Sequence, residues 1–180
     1  MKIPRIDKLS TRDSINLYIL IMIFGAVFGF IYEEIFYYFD LGYLVKRGST
    51  YGPWIPIYAF GGLFITLLTY RYKKKPLIVF LLATTISGIV EYGTALFFDK
   101  LFNVRLWDYN VEILNYGNIN GYICLRSILF FGISGVFLVY VVIPLLKKIV
   151  MKYNKSKMNI VCTSLIFIFE LDILLHFIFR

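Results

Sequence analysis

Cysteine and histidine are scarce: two cysteines, Cys124 and Cys162, and one histidine, His176, in 180 residues. Two thiols so far apart exclude a disulfide scaffold and a four-thiolate zinc site. A lone imidazole excludes most histidine-based metal chemistry. Charge is scarce too. Only 17% of residues are charged, against about 25% in soluble domains. Hydrophobic residues make up 59%, against roughly 45–50%. So few charges cannot cover a small soluble globule, and so apolar a chain is not a disordered one. No G-x-x-x-x-G-K-[ST] loop is present, which excludes ATP hydrolysis by that route. No nucleophile constellation and no His- or Asp-rich metal motif is present either, so no cofactor is expected.

What the chain has is long uncharged runs. Ser14 to Tyr32 is 19 residues without a charge, Gly48 to Tyr70 is 23, and Ser127 to Leu146 is 20. A bilayer core about 30 Å thick needs about 20 apolar residues in a helix. The pattern predicts an all-α, polytopic transmembrane helix bundle with five spans, at about 15–38, 55–71, 77–98, 125–146 and 159–179. These spans make residues 1–180 a single integral membrane domain, multi-pass in the cell membrane. The first apolar run is too long for a signal peptide and no A-x-A-like cleavage site follows it, so it is expected to be retained.

Lysine and arginine set the orientation. Lys2, Arg5, Lys8 and Arg12 precede the first span. Arg71, Lys73, Lys74 and Lys75 follow the second. Lys147, Lys148, Lys152, Lys155 and Lys157 lie between the fourth and fifth. That places thirteen cations on one side, against six on the other: Lys46, Arg47, Lys100, Arg105, Arg126 and Arg180. The basic side is cytoplasmic, so the N-terminus is predicted inside and the C-terminus outside. The same placement accounts for the net charge of +8, and no nucleic-acid partner is expected because no binding module accompanies it. The lipid bilayer is the expected surrounding.

Charged groups inside spans are costly and mark interior or functional positions. Glu33 and Glu34 lie late in the first span, Glu91 in the outer half of the third, Arg126 at the outer start of the fourth, and Glu170, Asp172 and His176 in the outer half of the fifth. Their common depth predicts one outward-facing polar cavity. Small-residue stripes carry two of the acids. Gly25 and Gly29 precede Glu33, while Ala83, Ser87, Glu91 and Ala95 repeat every four residues. Gly132 and Gly135 offer a further close-packing face. Asp172 and His176 share a helix face. Alternatively, Glu33 and Glu91 pair with Arg47 or Arg126 and only hold helices together.

The outer loops are the richer ones. Gly52-Pro53-Trp54-Ile55-Pro56-Ile57-Tyr58 is either a re-entrant element lining the cavity or a tight turn entering a helix through Pro56. Trp107-Asp108-Tyr109 is either part of an aromatic belt at the headgroups or part of a site.

Lys46-Arg47-Gly48, then Gly52-Pro53, Pro56-Ile57-Tyr58 and Gly61, resemble the N-R-G … G-P-x-x-P-I-Y-G run of the CmpB/TMEM229 family. Glu33, Glu91, Trp107-Asp108-Tyr109 and Asn118-Ile119-Asn120-Gly121-Tyr122-Ile123-Cys124-Leu125 extend the resemblance in order, over about residues 25–146. Lys46 stands where the family has Asn, and Tyr122 where it has Arg. The family is named for ABC-transporter permeases of type IV. The resemblance implies a permease-like or substrate-capturing subunit, with a separate ATPase or another membrane subunit as partner. The residues expected to contact a substrate are Glu33, Arg47, Tyr58, Glu91, Trp107, Asp108, Asn118 and Arg126, with no catalytic residue assigned. Paired acids beside an arginine also fit a membrane enzyme acting on a lipid headgroup. A structural or regulatory partner of another membrane protein is the third reading.

Overall fold

Ser10 starts the first helix: its hydroxyl accepts the Asp13 backbone N–H at 3.1 Å, which satisfies a free helix-end donor. The computed structural model describes residue 6, residues 9–48 and residues 50–179. Lys2, Arg5, Lys8 and Arg180, which entered the orientation count, lie outside the described residues. The helices are α1 (Thr11–Leu41), α2 (Pro56–Thr69), α3 (Pro76–Phe102), α4 (Leu125–Phe137), α5 (Ile143–Lys152) and α6 (Lys155–Ile178). The protein is thus an all-α membrane helix bundle.

Among the described residues, four stretches are long and apolar enough to cross a membrane: Thr11–Leu41, Pro76–Phe102, Leu125–Lys152 and Lys155–Ile178. They coincide with the first, third, fourth and fifth expected spans. The fourth is continuous through a π-helical segment, Leu138–Val142, that joins α4 to α5. Pro144 lies just beyond it and has no N–H to return to the preceding turn, so the helix widens there.

The chain forms two compact units, one of Met1–Leu63 with Tyr140–Arg180 and one of Phe64–Val139. In the first unit α1 packs on α5 and α6. Ala26, Ala59 and Phe169 form its buried cluster, with Met22, Trp54 and Ile166 against it. At the other end of α1, buried Asn16 donates to the Asn159 side chain at 2.7 Å. In the second unit α3 packs on α4. The buried positions of α3 are Val79, Ala83, Ser87, Glu91 and Ala95, the expected stripe extended by one turn. Gly132 and Gly135 face it: a Cβ at Gly135 would lie 2.4 Å from the Ala83 Cβ, and one at Gly132 2.2 Å from the Thr84 hydroxyl.

The second expected span differs. α2 has 14 residues, roughly 21 Å of helix, which falls short of the bilayer core. It begins at Pro56, and the residue before it shows where. The Ile55 N–H donates to the Ala26 carbonyl at 3.0 Å, and Ala26 is the midpoint of α1. The non-helical chain after Gly42 therefore descends to half the height of α1 before α2 starts. From that depth a 14-residue helix is long enough to reach one membrane face. The second expected span is therefore not one continuous helix: irregular chain leads at Ile55 into the 14-residue α2. Irregular backbone is tolerated at this depth only where protein or a water-filled cavity satisfies it.

Candidate functional site

The first unit satisfies the irregular chain before α2 from α6. Asp172 accepts the Tyr51 N–H at 2.9 Å, the Gly52 N–H at 2.7 Å and the Trp54 indole N–H at 2.5 Å. The Trp54 ring meets Phe169 edge-on at 5.7 Å, and His176 packs against Tyr51 at 5.6 Å. The shared face of Asp172 and His176 is thus the face that holds this loop.

Above it, α1 holds the basic pair. The Arg47 side chain donates to Glu33 at 3.3 Å, its backbone N–H donates to Glu34 at 2.7 Å, and its guanidinium lies 3.6 Å from the centre of the Tyr37 ring. Lys46 donates to the Tyr51 carbonyl at 3.0 Å. Glu33 and Arg47 therefore form the helix-to-loop pair that the sequence left as one of its alternatives. Tyr58 lies over Gly29, with its ring 6.5 Å from that of Tyr32. A shallow open cleft of about 340 Å³ lies beside the loop, walled by Phe30, Glu34, Lys46, Tyr51, Gly52 and Pro53.

The second unit gathers the other expected residues around the α3–α4 loop. Glu91, buried on α3, accepts the Tyr109 hydroxyl, and it accepts the Ser127 hydroxyl at 3.0 Å. Arg126 pairs with Glu112 at 2.6 Å, and its guanidinium lies 5.5 Å from the centre of the Tyr109 ring. Trp107 donates from its indole to the Tyr122 carbonyl at 2.9 Å. Asp108 accepts Arg105 at 2.7 Å and the Asn110 backbone N–H at 2.9 Å. Asn118 donates to Asn110 at 2.8 Å and accepts the Gly121 N–H at 2.8 Å. Gly121 has φ +76, and a Cβ there would meet Asp108 at 2.4 Å. Only glycine fits such a position. Trp107, Asp108 and Asn118 thus tie the loop, while Glu91, Tyr109 and Ser127 form a buried hydroxyl–carboxylate cluster beneath it.

The expected residues fall into two groups. Glu33, Arg47 and Tyr58 belong to the first unit. Glu91, Trp107, Asp108, Asn118 and Arg126 belong to the second. Sequence reasoning missed Glu112 and Ser127. Ser127 follows Arg126 at the start of a span, and Glu112 is an acid among apolar loop residues; both signals were visible.

Burial of the Tyr109 phenol, with Glu91 beside it, raises its pKa well above the usual value of about 10. The unfolded phenol loses its proton first as pH rises, so this contribution to stability is complete below about pH 10 and is lost through the higher folded value. Above pH 10 the wild type is expected to lose stability more steeply than Tyr109→Phe. Folded wild type should show fewer tyrosines ionising near pH 10 by ultraviolet titration than unfolded protein, and Tyr109→Phe should narrow that gap by one. Equal slopes and equal titrations would contradict the burial of that hydroxyl.

The long apolar helices make this a multi-pass membrane protein. The chain belongs to the family described as "Putative ABC-transporter type IV", whose model matches residues 20–177. The match takes in α6, so the helix that supplies Asp172 lies within the family's shared region and not outside it. No curated protein and no solved structure matches the chain.

Proposed function

We propose that this chain is a permease-like membrane subunit that captures a small polar solute from the outer side and works with a separate ATPase. The observation that carries the reading is the break in the second expected span. A continuous helix satisfies its own backbone, whereas a break at mid-depth needs partners such as Asp172. Transporters use such discontinuous spans to place backbone groups beside solute sites. The adjoining cleft puts an acid, Glu34, and an amine, Lys46, on an otherwise apolar wall. That combination favours a small zwitterionic or amine-bearing solute over a lipid tail. A separate polypeptide as energy source agrees with the lack of a nucleotide loop in this sequence.

The test uses right-side-out membrane vesicles energised with ATP from within. Mixtures of labelled amino acids, quaternary amines, short peptides and sugars are offered outside. Vesicles carrying the chain and its native partners are expected to accumulate one of these classes. Lys46→Gln is expected to lower that accumulation at least about tenfold, the loss of a charge-assisted contact. Uptake of every class equal to that of vesicles lacking the chain would overturn the reading.

A further inference from the structure

Glu170 and Asp172 lie two residues apart on α6, yet their surroundings are opposite. Asp172 is buried under three donors. Glu170 is exposed, and among the described residues nothing hydrogen-bonds or ion-pairs with it. It sits roughly 12 Å before the end of α6 at Ile178, counted along the helix axis. That places it among the apolar residues of a candidate span, about two turns from its end.

Its neighbours on the same side are Phe167, Leu174 and Phe177, which are 62%, 53% and 72% exposed. α6 is also the least covered of the candidate spans: 11% of its most apolar window is buried, against 22–39% in the others. Apolar exposure alone is what lipid tails cover. A carboxylate in the middle of such a stripe is different, because ionisable groups at this depth pair with other groups or face protein.

Charge decides what covers it. Two copies of the chain meeting through this stripe would set Glu170 against Glu170, like charges in a medium of low dielectric. A helix carrying a cation complements it instead. We infer that the Phe167–Glu170–Leu174–Phe177 stripe is the docking face for a membrane-spanning helix of a different subunit, one that bears a lysine or arginine in the outer half of the bilayer. The inference concerns assembly and stands apart from the transport reading.

The test uses the full-length chain, donor-labelled, in phosphatidylcholine liposomes. The probes are acceptor-labelled synthetic transmembrane peptides of leucine and alanine. One carries a single Lys in its outer half, a second carries Gln there, and a third carries Glu. Wild type is expected to bind the Lys peptide about tenfold more tightly than the Gln peptide, the strength of a good interhelical polar contact. Glu170→Gln should erase that preference, and Glu170→Lys should transfer it to the Glu peptide. Phe167→Ala should weaken binding of both while keeping the preference. Equal binding of all three peptides by wild type would overturn the inference, as would a Lys preference that survives Glu170→Gln. Self-association of wild type that Phe167→Ala abolishes would assign the stripe to a second copy and overturn it as well.

Discussion

Asp172→Ala is expected to destabilise the chain by about 3 kcal/mol or more, since each donor left without its acceptor costs about 1–3 kcal/mol. Unfolding in a denaturing detergent titration measures it. The size follows from what is left behind. The Tyr51 and Gly52 N–H groups and the Trp54 indole all point at this carboxylate, which is itself buried. Asp172→Asn should cost less than Asp172→Ala, because its amide oxygen still accepts while its NH2 turns one donor towards a donor. Trp54→Phe removes one donor and leaves the carboxylate its other two. A single hydrogen bond to a charged group is worth about 1.5–3 kcal/mol, so that variant should fall below Asp172→Ala. Unfolding of Asp172→Ala at the wild-type midpoint would show that the loop is held by other means.

Gly25→Leu is expected to leave almost no folded protein, and Gly25→Ala to cost about 1–3 kcal/mol, the range for overpacking. A Cβ at Gly25 would lie 2.7 Å from the Tyr58 carbonyl oxygen, which is backbone and cannot rotate away. Gly29 provides the comparison. A Cβ there would lie 2.1 Å from the Tyr58 ring, and a ring can be removed. Gly29→Ala should therefore be rescued by Tyr58→Ala, whereas Gly25→Ala should not. Thermal unfolding of the three single alanine variants and the two double variants in detergent reads the coupling. Rescue of both glycines, or of neither, would contradict the close approach of the start of α2 to α1.

The spans were legible because charges interrupt apolar runs at intervals set by bilayer thickness. The packing stripes were legible because small residues recur every four positions. The Glu33–Arg47 pair stood among the readings because the two residues bracket one short loop. Depth was not legible. Gly52, Pro53 and Pro56 announce irregular backbone, but hydropathy is the same at the surface and at mid-membrane, so residues 55–71 passed for a full crossing. Only the bond from Ile55 to Ala26 reveals the level. The role of Asp172 was hidden for a related reason, since its partners lie 118 to 121 residues away. The Arg126–Glu112 pair was missed because Glu112 sits in a loop with no periodicity.

The reach of Asp172 across the sequence sets an order of events during synthesis. The glycine–proline stretch leaves the ribosome long before the last helix does, and its amide groups have no acceptor at that depth until the last helix enters the bilayer. The stretch before α2 waits for its acceptor and settles only when α6 has joined it. A nascent chain stopped short of α6 would hold three long apolar helices and one stranded segment still open to proteases.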